Sequence, residues 1–484
     1  MRILFIASEC VPFSKTGGLA DVVGALPQAL AARGHEVGVF LPRYRQTEPG
    51  PVVDRTLSLP LGHELHFPAV QDGRERGGVR HYFLDYPAYF DREGLYLDSG
   101  KDYPDNAERF ALFSRGAVEF ARRMEPPPDA IHCHDWQSGL VPVLLKTQYA
   151  ADPALGRVPV LFTIHNLGYQ GLFPHPSLER IGLPPSLFTM DGLEFYGWVN
   201  YLKGGLVYAD FLSTVSRRYA EEIQTEEYGH GLDGVLRLRS GRLVGILNGV
   251  DYSEWNPATD RFLAAPYSKE NLEGKTLCKK DLLEQFQLPS QDLARPLIGI
   301  VSRFATQKGF DLIAEIADVL LRQDLFLVAL GTGEPEHERV FRELARAFPR
   351  KVGVRIAYDN ALAHKIEGGA DMFLMPSRYE PCGLNQIYSL KYGTVPVVRA
   401  TGGLDDTIEP FNPRNGKGTG FKFKPYSGAA LLECVREALH LFTRDRKAWQ
   451  TLMQNGMEKD YSWGASAVEY ERLYQRMART AGAG

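Results

Sequence analysis

A chain of 484 residues is too long for one ordinary domain and suits two or three. With 44% apolar and 24% charged residues, a net charge of −4 and a pI near 6.3, it reads as a globular protein lacking the basic footprint of a nucleic-acid binder. Five scattered cysteines with no CxxC pair argue against a disulfide framework or a zinc site. No stretch has the length of a membrane span, so a soluble, cytoplasmic protein is expected.

Residues 2–7 form a compact apolar run, followed by a glycine-containing loop, a helical pattern over 18–33 and a second apolar run over 35–41. Strand, turn, helix, strand is a βαβ unit. Short β-branched runs return at 130–133, 158–164 and 211–215, as buried parallel strands do. The pattern restarts with strands predicted at 296–302, 325–331, 352–358, 372–376 and 395–399, and a helix at 311–322. Two such series predict two α/β domains. The polar stretch 248–275 between them reads as a hinge, and 465–479 as a closing helix.

Open parallel sheets bind ligands at the carboxyl ends of their strands, so candidate ligand groups fall in the loops that follow strands. The first is Ser14-Lys15-Thr16-Gly17-Gly18-Leu19-Ala20-Asp21. Its glycines allow close backbone approach, its helix start offers amides to an anion, and Lys15 adds a positive charge. It matches neither GxxxxGK[ST] nor GxGxxG, and a tight turn with a solvated lysine is the alternative. After residue 302, Arg303 and Lys308 lie five apart and can converge on two phosphates, or be solvated. After 376 come Glu380, a carboxylate suited to sugar hydroxyls, then Cys382, Gly383 and Leu384, whose amides open a helix. Cys382 has no evident base and reads as packing.

Thr163-Ile164-His165-Asn166 ends a strand, so His165 is either a structural histidine or a cleft residue. His132-Cys133-His134-Asp135-Trp136 also ends a strand; its two histidines share a face, but no third ligand cluster accompanies them and no metal is expected. Gly331-Thr332-Gly333-Glu334 and Thr401-Gly402-Gly403-Leu404 turn from strand to helix, and the latter can add amides to an anion site.

Taken together, seven segments resemble the bacterial glycogen synthase and plant starch synthase family. They are SKTGGLADVVGALP (14–27), HCHDW (132–136), FTIHNLGYQGLF (162–173), GILNGVDYSEWNP (245–257), VSRFATQKGFDL (301–312), SRYEPCGLNQ (377–386) and KYGTVPVVRATGGLDDT (391–407). YSWGASAVEYERLY (461–474) is similar to the family's closing helix. Two departures are Tyr388, where related families carry a second glutamate, and Ser216-Arg217-Arg218, where a proline commonly follows the serine.

The resemblance implies an α/β GT-B fold: Rossmann-like domains over 1–246 and 247–460 facing across a deep cleft, with 461–484 as a helix packing back on the first. It implies a retaining hexosyltransferase that moves glucose from ADP-glucose to the non-reducing end of an α-1,4-glucan and releases ADP in glycogen biosynthesis. It places Lys15, Gly17 and Gly18 at the donor diphosphate and Asp21 in the active site. His165 and Asn166 fall near the donor glucose, with Asn248 near the donor. Arg303 and Lys308 fall on the phosphates, Glu380 on the glucose, and Asp135 and Trp136 at the acceptor or glucose. Cys382, Gly383, Leu384, Thr401, Gly402 and Gly403 complete the donor contacts. The partners implied are ADP-glucose and glucan, without cofactor, nucleic acid or membrane. Adenine over uracil rests on the resemblance alone, and oligomeric state is not legible.

Overall fold

A computed structural model describes residues 1–482, with side chains through 480; residues 483 and 484 of the expected closing segment lie outside the described residues. Two compact units divide the chain. The first is Met1–Gly249 with the described residues from Trp463 on, and the second is Val250–Ser462.

The first unit is built on a nine-stranded sheet. In spatial order its strands are Leu243–Gly245, Phe211–Thr214, Val160–Ile164, Ala130–His134, Arg2–Ile6, Glu36–Pro42, Val79–Asp85, Ala69–Arg76 and Val52–Asp54. The first seven run parallel, and Ala69–Arg76 pairs antiparallel with its neighbour on each side. The central strands are buried on both faces, which is why they read as unbroken apolar runs. The chain leaves Arg2–Ile6 toward one edge and later returns through Ala130–His134 on its other side, so the order reverses between these two strands.

The helix Trp463–Gly482 belongs to this unit. Its apolar residues Trp463, Ala467, Tyr470, Tyr474 and Met477 recur every three or four positions, forming a stripe. That stripe packs in one core with Leu19, Val22, Leu26 and Leu30 of the Gly18–Ala31 helix. Tyr474 reaches further: its hydroxyl lies 2.8 Å from His132 Nδ1 inside the sheet.

The second unit carries a six-stranded, all-parallel sheet. Its order is Val352–Ile356, Phe326–Gly331, Leu297–Val301, Met372–Met375, Val395–Arg399 and Phe421–Phe423. Here the order reverses between Leu297–Val301 and Met372–Met375. Both units are therefore Rossmann-like, each with a switch point where ligands bind in such sheets.

Of the stretch expected as a hinge over 248–275, the break between the units falls at Gly249/Val250, and the rest belongs to the second unit. Tyr267 is buried and donates to the carbonyls of Gly368 and Tyr392 at 3.0 and 2.9 Å. Lys275 is buried with its ammonium on the same two carbonyls and on Thr394 Oγ1. These polar groups look like linker chemistry in sequence, but their partners lie a hundred or so residues downstream. Among the described residues no helix is long and apolar enough to cross a membrane.

Candidate active site

In the first unit the candidate residues follow three neighbouring strands around the switch point. After Arg2–Ile6 comes Glu9, which the sequence reading passed over. It is 3% exposed, yet its carboxylate accepts from Thr16 Oγ1 at 2.6 Å, Tyr96 Oη at 2.7 Å, the Gly17 amide at 3.2 Å and the Thr16 amide. Tyr96 has only one hydroxyl proton, so Ser8 Oγ, 2.7 Å away, donates to it in turn. Glu9 thus shapes the glycine loop from beneath, and the Gly17 amide is spent on it. The amides of Gly18 and Leu19 have no acceptor among the described residues and open the 14-residue helix, as the anion reading requires. A Cβ added at Gly17 or Gly18 would meet nothing within 4 Å. Neither packing nor a positive φ calls for glycine there. Lys15 Nζ pairs with Asp21 Oδ1 at 2.7 Å, both partly exposed.

After Ala130–His134, Asp135 adopts φ +54°, an uncommon conformation for a side-chain-bearing residue. Its carboxylate accepts the His165 amide at 2.7 Å, and also the Asn166 amide. Burial pushes its pKa up to about 7 despite those amides. His165 follows the next strand, and its Nε2 lies 3.0 Å from His134 Nδ1. Burial takes His165 down to about 3 and His134 well below the usual histidine range, so the two rings are neutral and share one proton. His134 Nε2 is buried without a partner among the described residues.

His132 does not offer a metal nitrogen. Its Nδ1 lies 2.8 Å from the Tyr474 hydroxyl and its Nε2 2.6 Å from Thr163 Oγ1, which continues to Ser213 Oγ at 2.5 Å, so both ring nitrogens are engaged. Among the described residues the one cluster of three metal-type ligands is Glu334, Glu336 and His337, in the other unit. There Glu334 caps a loop by accepting the Thr306 hydroxyl at 2.9 Å.

Trp136 is 8% exposed. Phe110, Phe173 and Tyr96 pack around it at ring distances of 4.9, 5.8 and 6.3 Å. Its indole is walled in rather than presented as an open platform. Asn166 Oδ1 accepts the Gly168 amide at 3.0 Å, an Asx turn that fixes the loop. Asn248 follows the edge strand, and its buried Oδ1 has no partner among the described residues.

In the second unit Lys308 and Glu380 flank the switch point. Lys308 Nζ lies 2.6 and 2.9 Å from the two Glu380 oxygens, and Ser377 Oγ donates to the same carboxylate at 3.0 Å. Arg303 is exposed, and its guanidinium donates to Gln307 Oε1 at 3.3 Å. Gly383 has φ +68°, the left-handed geometry that favours glycine. The Gly383 and Leu384 amides have no acceptor among the described residues. Cys382 is buried, and its carbonyl accepts from Gln386 Nε2 at 3.1 Å.

One expected amide is not available to a ligand. Gly403 N–H donates to the carbonyls of Glu380 and Pro381 at 3.0 and 3.2 Å. A Cβ at Gly403 would lie 1.8 Å from the Cys382 carbonyl oxygen, and one at Gly402 2.0 Å from that of Glu380. These glycines let the 401–403 turn press against the Glu380 segment and hold it, and Thr401 beside them is fully buried.

A family model for the starch synthase catalytic domain matches residues 2–238, and one for glycosyl transferases group 1 matches 284–451. The chain is 60% identical to a glycogen synthase of Koribacter versatilis, covering 98% of both chains. It is 50% identical to a glycogen synthase of Anaeromyxobacter sp. strain Fw109-5, covering 99% of this chain and 100% of that one. The catalytic domain of starch synthase IV from Arabidopsis thaliana, solved with ADP and acarbose, superimposes with a TM-score of 0.88 at 34% identity, covering 99% of both. A sucrose-phosphate synthase from Thermosynechococcus elongatus shares the fold alone, with a TM-score of 0.60 at 20% identity.

Proposed function

This chain belongs to the glycogen synthase and starch synthase family of GT-B glucosyltransferases, and we propose that it transfers glucose from ADP-glucose to the non-reducing end of an α-1,4-glucan, with retention, in the cytoplasm. The observation that carries the reading is the Lys308–Glu380 pair beside Arg303, with the unengaged Gly383 and Leu384 amides on the same side of one switch point. Cations and open amides suit a diphosphate, and a buried carboxylate suits sugar hydroxyls.

Breaking the glucosyl–phosphate bond builds negative charge on the departing phosphate. In the second unit Arg303, Lys308 and the amides at Gly383 and Leu384 are the groups to stabilise it, and in the first unit Lys15 and the Gly18 amide are groups of the same kind; a single well-placed donor contributes about 2.7–4 kcal/mol. The turn at Gly402 and Gly403 serves by positioning Glu380 rather than by touching phosphate. Lysine and arginine cover this charge, so the reading needs no metal; activity unchanged in EDTA is the check.

Each carboxylate described in the first unit's site already has partners, Asp21 pairing with Lys15. Glu9 is saturated by four donors, and Asp135 is committed to two amides. The reading is therefore front-face attack, with the leaving phosphate taking the acceptor's proton and the neutral His165 helping to hold the sugar. Trapping a covalent glucosyl-enzyme would contradict this. The direct test supplies glycogen primer with ADP-glucose or UDP-glucose and follows nucleotide release and label in precipitable glucan. Release without glucan growth, or neither, overturns the proposal.

A further inference from the structure

The outward side of the Trp463–Gly482 helix carries cations that the reaction above does not use. Arg472, Arg476 and Arg479 are exposed and follow one another at spacings of four and three, so they share one side of the helix. With Gln475 and Thr480 they line a groove of about 530 Å³. Arg476 joins this groove to the turn before the edge strand Leu243–Gly245. Its guanidinium donates to the Gly241 carbonyl at 3.2 Å and lies 5.2 Å from the centre of the Phe211 ring. Arg242 sits over the same ring at 4.8 Å. Arg239, three residues earlier, donates to the Val207 and Ala209 carbonyls. Burial and the charge on Arg242 hold it below the ordinary arginine value.

No negative charge answers this gathering. Among the described residues none of the five arginines makes an ion pair with a carboxylate. The acidic side chains on the same elements are committed elsewhere: Glu469 to Arg217, Glu471 to Arg33 and Asp210 to Lys146. Residues 481–484 add no acidic side chain. The helix dipole does not account for the cluster, because it favours cations only in the last turn, which holds Arg479 but not Arg472 or Arg476. Like charges one turn apart on a helix repel, and Arg242 and Arg476 also share one phenyl ring. A bound anion would relieve both repulsions.

We propose that this groove binds a phosphorylated small molecule, with its phosphate oxygens taken by Arg472, Arg476 and Arg479. Guanidinium groups bind phosphate through paired, charge-assisted hydrogen bonds, and the Gln475 amide and Thr480 hydroxyl add uncharged donors beside them. The groove has the size of a small-ligand pocket. A chain of net charge −4 with so confined a basic patch suits such a ligand better than a nucleic acid or an anionic membrane, which need a broad basic face. None of the groove's residues belongs to the candidate active site. Tyr470, Tyr474 and Met477 of the same helix are buried in the first unit's core, so an anion on its outward side fastens a helix that the core already holds.

The test measures Tm and calorimetric binding with pyrophosphate and inorganic phosphate, at ionic strength matched by chloride, and needs no turnover. Wild type is expected to gain Tm with pyrophosphate beyond the chloride control. Arg472→Gln/Arg479→Gln leaves the Arg476–Gly241 bond in place, so the helix stays docked, yet it is expected to weaken pyrophosphate binding about tenfold or more. Arg472→Lys/Arg479→Lys, which keeps charge but not paired donors, falls between the two. Arg303→Ala keeps the response, which separates this groove from the donor site. Glucose 1-phosphate and AMP then compete with pyrophosphate in the Arg303→Ala protein, and displacement by one identifies the source as a sugar phosphate or a nucleotide. Equal responses in wild type and the glutamine variant, a response lost in Arg303→Ala, a gain matched by chloride, or displacement by neither organic phosphate each overturn the site. So does tighter binding to duplex DNA or to phosphatidylglycerol vesicles than to pyrophosphate.

Discussion

Lys308 Nζ sits between both oxygens of Glu380, at 2.6 and 2.9 Å, joining the loops that follow two adjacent strands at the switch point of the second unit. The pair is asymmetric: Glu380 is nearly buried while Lys308 retains more exposure, and Arg303 beside them is open to solvent. Structural and chemical contributions can therefore be separated by substitution.

Arg303→Ala removes an exposed cation and is expected to lower kcat about 10²–10³-fold while leaving Tm unchanged. Lys308→Ala is expected to lose as much activity and also about 1–3 kcal/mol of stability, because the buried Glu380 carboxylate loses its cation while Ser377 still donates to it. Steady-state kinetics beside urea unfolding checks both. Wild-type rates in the two variants would remove these residues from the phosphate role.

The glycines divide into two classes. Gly403→Ala forces a Cβ to 1.8 Å from the Cys382 carbonyl and is expected to destabilise the second unit by about 1–3 kcal/mol, with activity falling as Glu380 shifts. Gly18→Ala meets open space. It is expected to leave Tm within a degree or two but to raise KM for the donor, the signature of room reserved for a ligand. A Gly18→Ala enzyme with unchanged KM would return that loop to an ordinary turn.

Stability should respond to pH in two opposing ways. His132, His134 and His165 are all held below the ordinary histidine value by burial. The unfolded chain therefore binds their protons first, and stability is lost as pH falls below about 6.5. Asp135 is raised to about 7, so its folded form holds a proton that the unfolded form releases, and stability declines as pH rises from about 4 to 7. Asp135→Asn keeps an acceptor for the His165 and Asn166 amides and removes this second slope. Thermal melts from pH 4 to 8 should show the variant gaining on wild type toward pH 8; parallel curves would refute the assignment.

Tyr474→Phe strips the hydrogen-bond partner from His132 Nδ1, at the head of the chain of bonds through Thr163 to Ser213. A loss of about 1–3 kcal/mol in urea unfolding is expected, with kcat retained in the folded fraction.

The parallel strands were legible because burial on both faces writes them as plain apolar runs, and the loops after them were legible because cations and glycines stand out there. Other features were not, for physical reasons. Glu9 is one carboxylate in an ordinary-looking ASEC, and its four donors come from as far as Tyr96. The Ala69–Arg76 strand, whose far end is exposed and polar, gives only a weak strand signal. The 248–275 stretch looked like a hinge because Tyr267 and Lys275 find their partners only in the folded unit. Gly403 looked like an anion-binding turn because sequence does not reveal that a carbonyl has already claimed its amide.

The Trp463–Gly482 helix, finally, has a consequence for how the protein is made. Domains generally fold in order as a nascent chain leaves the ribosome, the earliest first. Here the unit begun by Met1 takes part of its core, Tyr470, Tyr474 and Met477, from residues translated after the entire Val250–Ser462 unit. The second unit can close while synthesis continues; the first must wait, its His132 Nδ1 without Tyr474, until residues 463–482 have emerged. A translation product cut short before that point holds no finished first unit, so the loops carrying Lys15, Asp135 and His165 are completed only on a chain that already contains Arg303, Lys308 and Glu380.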